Sequence, residues 1–206
     1  MQGVDFIFSV AILVMSVVIH EVSHGSVAYA LGDPTAKNEG RLTLNPFKHL
    51  DLFGSLIVPF ITYLAGGFIF GWAKPVPYNP YNLKNQKVGS GLIGAAGPLS
   101  NFLTAAIFGL IIRYGSLLSF LPDSFFQIAT LIVLVNLILG TFNLVPVPPL
   151  DGSKILFAFL PYRWSKAELF LERYGFFLLL IFILFFFQYL LPVIAILFKL
   201  FTGLTM

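Results

Sequence analysis

Five residues near the start of the chain, His20-Glu21-Val22-Ser23-His24, have the types and spacing of a metal-dependent hydrolase. On an α-helix, positions i and i+4 lie one above the other, so both imidazoles reach a single ion while Glu21, beside the first, points at a water held by that ion. The string lies in an apolar stretch running from Val4 to Leu31. A charged residue at the centre of a bilayer costs about 3 kcal/mol on insertion scales, so ionisable groups there are functional by default. The competing account, in which the histidines bond to neighbouring helices and Glu21 rests at the membrane interface, leaves the metal spacing unexplained. Ser23 lies on the turn away from both imidazoles with no base of its own, and reads as a helix-packing serine. Gly25 and Ala28 read as small residues that let another helix approach.

A catalytic zinc takes three protein ligands and keeps a fourth position for water. With no cysteine in the chain, the third ligand must be a carboxylate or an imidazole: Asp33, Glu39, His49, Asp51, Asp123 or Asp151. The run Asn143-Leu144-Val145-Pro146-Val147-Pro148-Pro149-Leu150-Asp151-Gly152 favours Asp151. Its three prolines forbid a regular helix, and freed carbonyls at membrane depth are tolerated only where they are buried in protein or line a cavity. Asp151 as the N-cap of a helix beginning at Gly152 is the plain alternative, and His49 remains the alternative ligand. Asn101 and Asn143 are candidate amide donors to a substrate or an oxyanion, with interhelical hydrogen bonding as the competing role. Gly94 and Gly97 read as helix-packing glycines.

These residues need a membrane scaffold. Hydrophobic residues make up 58% of the 206 and charged ones only 10%, too few to cover a water-soluble body. Apolar segments from Val4 to Leu31, Leu52 to Phe70, Val88 to Ile112, Phe125 to Val145 and Tyr174 to Phe201 are each long enough to cross a bilayer. Lys37, Arg41 and Lys48 precede the second segment and Lys74, Lys84 and Lys87 follow it, so both its ends read as cytoplasmic. Pro59 and Gly66-Gly67 offer breaks for a re-entrant or hairpin element. The expectation is an all-α polytopic membrane protein: a three-span catalytic core, a re-entrant or hairpin segment, and a C-terminal membrane helix interrupted at Pro192. Residues 1–206 form one domain, with a core over about 4–160 and a C-terminal segment over about 174–201. The N-terminal stretch, lacking a basic flank and carrying Asp5, reads as part of the mature protein. The Phe-rich 176–187 region reads as a lipid-facing surface. The net charge of +3 is scattered among loops, which orients a membrane protein rather than binding nucleic acid.

On these motifs the chain resembles the site-2 protease family of intramembrane zinc metalloproteases. His20 to His24, Gly97-Pro98 followed by Asn101, and Asn143 to Gly152 stand in the family's order. With Gly40 to Pro46 and Trp72 to Pro77 they look like the compact members without PDZ or CBS domains. The resemblance spans about residues 10–160. It implies Zn²⁺ held by His20, His24 and Asp151, Glu21 as general base, and hydrolysis of peptide bonds in or beside the transmembrane segments of membrane proteins. Asn143 matches a polar position of the last motif. The expected setting is the cell membrane, with the active site toward the cytoplasm. The connection from His24 to Gly97 is longer than in some archaeal members of the family. A metal-ion transporter and a catalytically silent scaffold are the alternative readings, and the role of Glu21 separates them.

Overall fold

The computed structural model describes residues 3–51, 74–115 and 121–205, together with Gly54, Ile57, Phe60, Ile61 and Leu64. Most of the expected re-entrant segment Leu52 to Phe70, and Trp72 and Ala73 beyond it, lie outside the described residues. Among the described residues the α-helices with defined bounds follow in the order α1 (Gly3–Ala30), α2 (Thr35–Asn38), α3 (Gln86–Arg113), α4 (Asp123–Asn143), α5 (Asp151–Phe159), α6 (Ser165–Ile181) and α7 (Leu190–Thr202). No strand forms among the described residues. Among the described residues, four helical stretches are long and apolar enough to cross a membrane: Phe8–Ala30, Gln86–Arg113, Asp123–Asn143 and Tyr162–Thr202. The chain is an all-α polytopic membrane protein.

Helix α1 stops where Gly32 takes φ +104°, a left-handed conformation that costs glycine little. The Asp33 N–H then bonds Ala28 C=O at 2.9 Å and the Gly32 N–H bonds Tyr29 C=O at 3.1 Å, closing a Schellman motif over otherwise orphaned carbonyls. Helix α3 begins at Asn85, whose side chain accepts from the Val88 N–H at 3.1 Å, a side-chain N-cap. The run after α4 unwinds as the prolines demand and turns back on itself through Val145, Val147 and Leu150. Gly152 makes that return feasible: a Cβ there would lie 2.5 Å from Val145 O and closer still to Leu144 O.

Helix α3 is central. It packs against α1, α4, α5 and α7. Ala105 of α3, Val133 and Leu137 of α4, and Ile194 and Phe198 of α7 form one core cluster, so the C-terminal helix is joined to the three-span core. Helix α6 instead leaves Phe176 and Phe177 well exposed, as a lipid-facing surface requires. The regular ladder fails over Phe182–Phe186, a π-turn, and Phe187–Tyr189, a 3₁₀ turn, just ahead of Pro192. Pro192 has no N–H for the carbonyl four residues earlier, which breaks the hydrogen-bond series at that point.

Candidate active site

Helix geometry places His20 and His24 on the same face of α1, where both are buried. Asp151 comes from the first turn of α5. Its Oδ2 lies 3.0 Å from His20 Nε2 and 3.0 Å from His24 Nε2, and the two Nε2 atoms are 3.0 Å apart. Three potential ligand atoms therefore form an equilateral triangle. A tetrahedral zinc with bonds of about 2.0–2.1 Å separates its ligands by about 3.3 Å, so only a few tenths of an ångström distinguish this triangle from a filled site.

The hydrogen bonds behind the triangle fix which ring nitrogens face it. The Ile132 carbonyl can only accept, so Asn136 turns its Nδ2 toward it at 2.9 Å and toward Ser16 Oγ at 2.9 Å. That leaves Asn136 Oδ1 to accept from Asn101 Nδ2 at 2.9 Å. Asn101 Oδ1 then accepts from His20 Nδ1 at 2.6 Å, and His24 Nδ1 donates to the Ile93 carbonyl at 2.6 Å. With both protons held at Nδ1, neutral imidazoles would present two Nε2 lone pairs to one carboxylate oxygen. Three acceptors at such distances repel one another unless a cation sits among them. The donor set fits a divalent metal with nitrogen and oxygen preference.

Glu21 lies beside the triangle, its carboxylate within 4.8 Å of the histidine ligand atoms. Its Oε2 accepts from the Val76 N–H at 2.8 Å. Val76 belongs to an extended stretch laid against α1, where Lys74 N–H bonds His49 C=O at 2.9 Å and the buried Arg41 guanidinium bonds Lys74 C=O at 2.7 Å. Gly25 leaves room for that stretch, since a Cβ there would stand 2.7 Å from Val76 Cγ1 and 2.6 Å from Leu42 Cδ2. Gly25 admits helix α2 as well, since the same Cβ would stand 3.1 Å from Ala36 Cβ. A cavity of about 140 Å³ opens on the group, lined in part by Val76, Tyr78, Asn143, Pro149 and Lys154.

Asp151 is the first residue of α5, and Leu150 occupies the N-cap position with no side-chain cap bond. The other carboxylates lie elsewhere. Asp33 ties the loop after α1 to Asn79 and Asn82, Asp51 Oδ1 accepts from the Gly54 N–H, Asp123 opens α4 at the far end, and Glu39 is exposed after α2. His49 donates from Nε2 to Thr43 C=O at 2.9 Å and does not line the cavity. Asn143 lines it, with one amide N–H on Leu139 C=O. Asn101 is wholly buried behind His20, with its amide group engaged.

Three participants escape a reading of the sequence. Asn136 sits in the middle of an otherwise apolar run from Leu131 to Gly140, and a polar amide at that depth was the available signal. Lys154 stands one helical turn after Asp151 and bonds Asp151 Oδ1 at 3.0 Å. Gly97 touches the site itself, since a Cβ there would lie 2.5 Å from His20 Nε2 and closer to His24 Nε2. Helix packing alone, as the sequence suggests it, does not describe this contact.

Buried paired histidines, an adjoining glutamate and an aspartate at a broken helix lie together within a bundle of membrane-length helices, a donor set of the kind that metalloproteases use. The description "Peptidase family M50" matches residues 119–186. The chain is 39% identical over 179 residues to "Putative zinc metalloprotease YwhC" of Bacillus subtilis, covering 84% of this chain and 78% of that protein. It is 32% identical over 169 residues to "Putative zinc metalloprotease MJ0611" of Methanocaldococcus jannaschii, covering 80% of this chain and 76% of that one. "Putative zinc metalloprotease Rip2" of Mycolicibacterium smegmatis is 27% identical over 185 residues, covering 85% and 66%. No solved structure matches significantly. The chain belongs to peptidase family M50, the site-2 protease family.

Proposed function

We propose that this protein is an intramembrane zinc endopeptidase that hydrolyses peptide bonds in or next to the transmembrane segments of other membrane proteins. The observation that carries the reading is the 3.0 Å triangle of His20 Nε2, His24 Nε2 and Asp151 Oδ2, with Glu21 beside it. These three residues would hold Zn²⁺. The metal supplies a water nucleophile that ionises near neutral pH and polarises the scissile carbonyl.

Glu21 keeps one carboxylate oxygen on the Val76 N–H and has the other to accept the water proton, which it then delivers to the departing amine. Asn143 has a second amide N–H to offer the substrate backbone. A substrate must be extended to be cut, because a helical backbone is bonded to itself, and the stretch from Lys74 to Pro77 offers it an edge. The amides of Lys74 and Val76 are already committed, the two prolines have none, and Arg41 already bonds Lys74 C=O and Pro75 C=O, so pairing along this stretch would run through the carbonyl oxygens of Val76 and Pro77.

The reading places the site at the cytoplasmic side of the cell membrane. Every Lys and Arg except Arg113 and Lys199 lies in or beside the segments joining the site ends of the helices, as the positive-inside rule requires. The test is zinc content and cleavage of a model transmembrane substrate by the detergent-purified protein. Glu21→Gln should keep its zinc and lose cleavage by about 10²–10⁴-fold, and Asp151→Ala should lose zinc. Full cleavage by Glu21→Gln removes Glu21 as the general base, zinc uptake with no cleavage by the parent favours a transporter or a silent scaffold, and undiminished zinc in Asp151→Ala removes Asp151 from the ligand set.

A further inference from the structure

The two oxygens of Asp151 have different partners. Oδ2 faces both imidazole Nε2 atoms at 3.0 Å, while Oδ1 accepts from Lys154 Nζ at 3.0 Å. We propose that Lys154 is a positioning residue that holds the second oxygen of Asp151 off the metal, so that the carboxylate ligates through one oxygen and a coordination position stays open on the Glu21 side. This inference rests on the metal-site reading given above.

The surroundings fix the lysine for that task. Its stem lies against α3 where Gly94 has no side chain: a Cβ there would stand 2.9 Å from Lys154 Cβ and 3.3 Å from Lys154 Cδ. Its ammonium lies 5.7 Å from the centre of the Tyr78 ring, within reach of cation–π attraction. Lys154 and Tyr78 are the two residues that line both the catalytic cavity and a larger polar cavity of about 640 Å³ beside it. The side chain is one-third exposed (33%), so the ammonium keeps part of its hydration while bonding a buried carboxylate.

The consequence is geometric. A carboxylate binds a metal through one oxygen or through both, and an oxygen without a partner is free to rotate onto the ion. A bound zinc would start from three protein ligands and a water and could gain a fifth ligand in the transition state. A resting site that has already reached five has used the place where substrate should enter. A hydrogen-bond partner on a ligating carboxylate typically governs affinity or activity by about 10- to 100-fold.

Cobalt(II) in place of zinc reports coordination number directly, since four-coordinate cobalt absorbs visible light far more strongly than five-coordinate cobalt. The full-length protein, Lys154→Met and Lys154→Arg are purified in detergent, loaded with cobalt, and compared by visible spectrum, thermal melting and the kcat and KM of substrate cleavage. Lys154→Met preserves the stem and should lower the absorbance roughly twofold or more and kcat about 10- to 100-fold, with KM little changed. Lys154→Arg should restore the parent spectrum. Lys154→Gln serves in the same comparison if the Met variant does not fold. A cobalt-loaded Lys154→Met or Lys154→Gln protein with the parent spectrum overturns the inference alone. A parent that takes up no cobalt overturns the metal reading, and the inference with it.

Discussion

Gly97 shows how much one missing methyl can control. A helix interior ordinarily gains about 1 kcal/mol when Gly becomes Ala, so Gly97→Ala should leave the helix intact or firmer. At the site the added carbon lands on two imidazoles, 2.5 Å from the nearest His20 atoms. The expected outcome is a protein whose melting temperature stays within a few degrees of the parent while bound zinc falls at least about tenfold, measured by metal analysis after dialysis. Retained zinc would show that the rings can move aside. The sequence makes His20, Glu21 and His24 legible because i,i+4 spacing is a property of any helix. It cannot reveal Asn136, whose part depends on α3 and α4 crossing so that Asn101 stands between it and His20. Asn101 was visible as an unusual polar residue, but which way its amide faced was decided by a carbonyl on another helix.

At the level of elements, the loop between α1 and α3 depends on Asp33. Its carboxylate accepts from the Thr35 hydroxyl at 2.6 Å, the Asn79 N–H at 2.7 Å and the Asn82 amide at 2.6 Å. Burial pushes this carboxyl up, yet the donors outweigh burial and hold it below its ordinary 3.8. A carboxyl depressed on folding adds stability that is complete above its unfolded value and disappears as pH falls below it. Asp33→Ala should therefore cost about 2 kcal/mol near neutral pH. In denaturant melts the gap from the parent should narrow as pH drops below about 4. A gap unchanged by pH would mean that packing, not charge, is what Asp33 contributes. The sequence offered Asp33 only as one of several acids able to bind metal, because bonds to residues 46 and 49 positions away leave no periodic trace. The broken element before Asp151 was legible for the opposite reason, since three prolines act locally.

Across the whole molecule, charge decides orientation and apolar length decides depth. The site-end loops and the helical segments beside them carry the Lys and Arg other than Arg113 and Lys199, which stand at the other end, where Arg113 bonds Leu200 C=O at 2.7 Å. The chain has no cysteine, so single introduced thiols report sidedness cleanly. In intact cells, Ser124→Cys should react with a membrane-impermeant maleimide, while Lys48→Cys and Lys166→Cys should react only after permeabilisation. The reverse pattern would invert the topology and put the proposed site on the outer face. The membrane class and the span pattern were legible from composition and hydropathy, but the joining of α7 to the core was not, because lipid-facing and protein-facing phenylalanines look alike in sequence.

The small residues along α3 also act as a gauge. Gly91 and Gly94 set how near α5 may come, and Gly97 sets the gap to the two imidazoles. The distance from Asp151 to its histidine partners is thus fixed by three positions on one helix face, and with it the diameter of ion that fits between them. A methyl added at Gly94 would press on Lys154 Cβ and Asp151 O and move α5 outward. The spacing of the proposed metal ligands therefore depends on residues that would not themselves touch the ion.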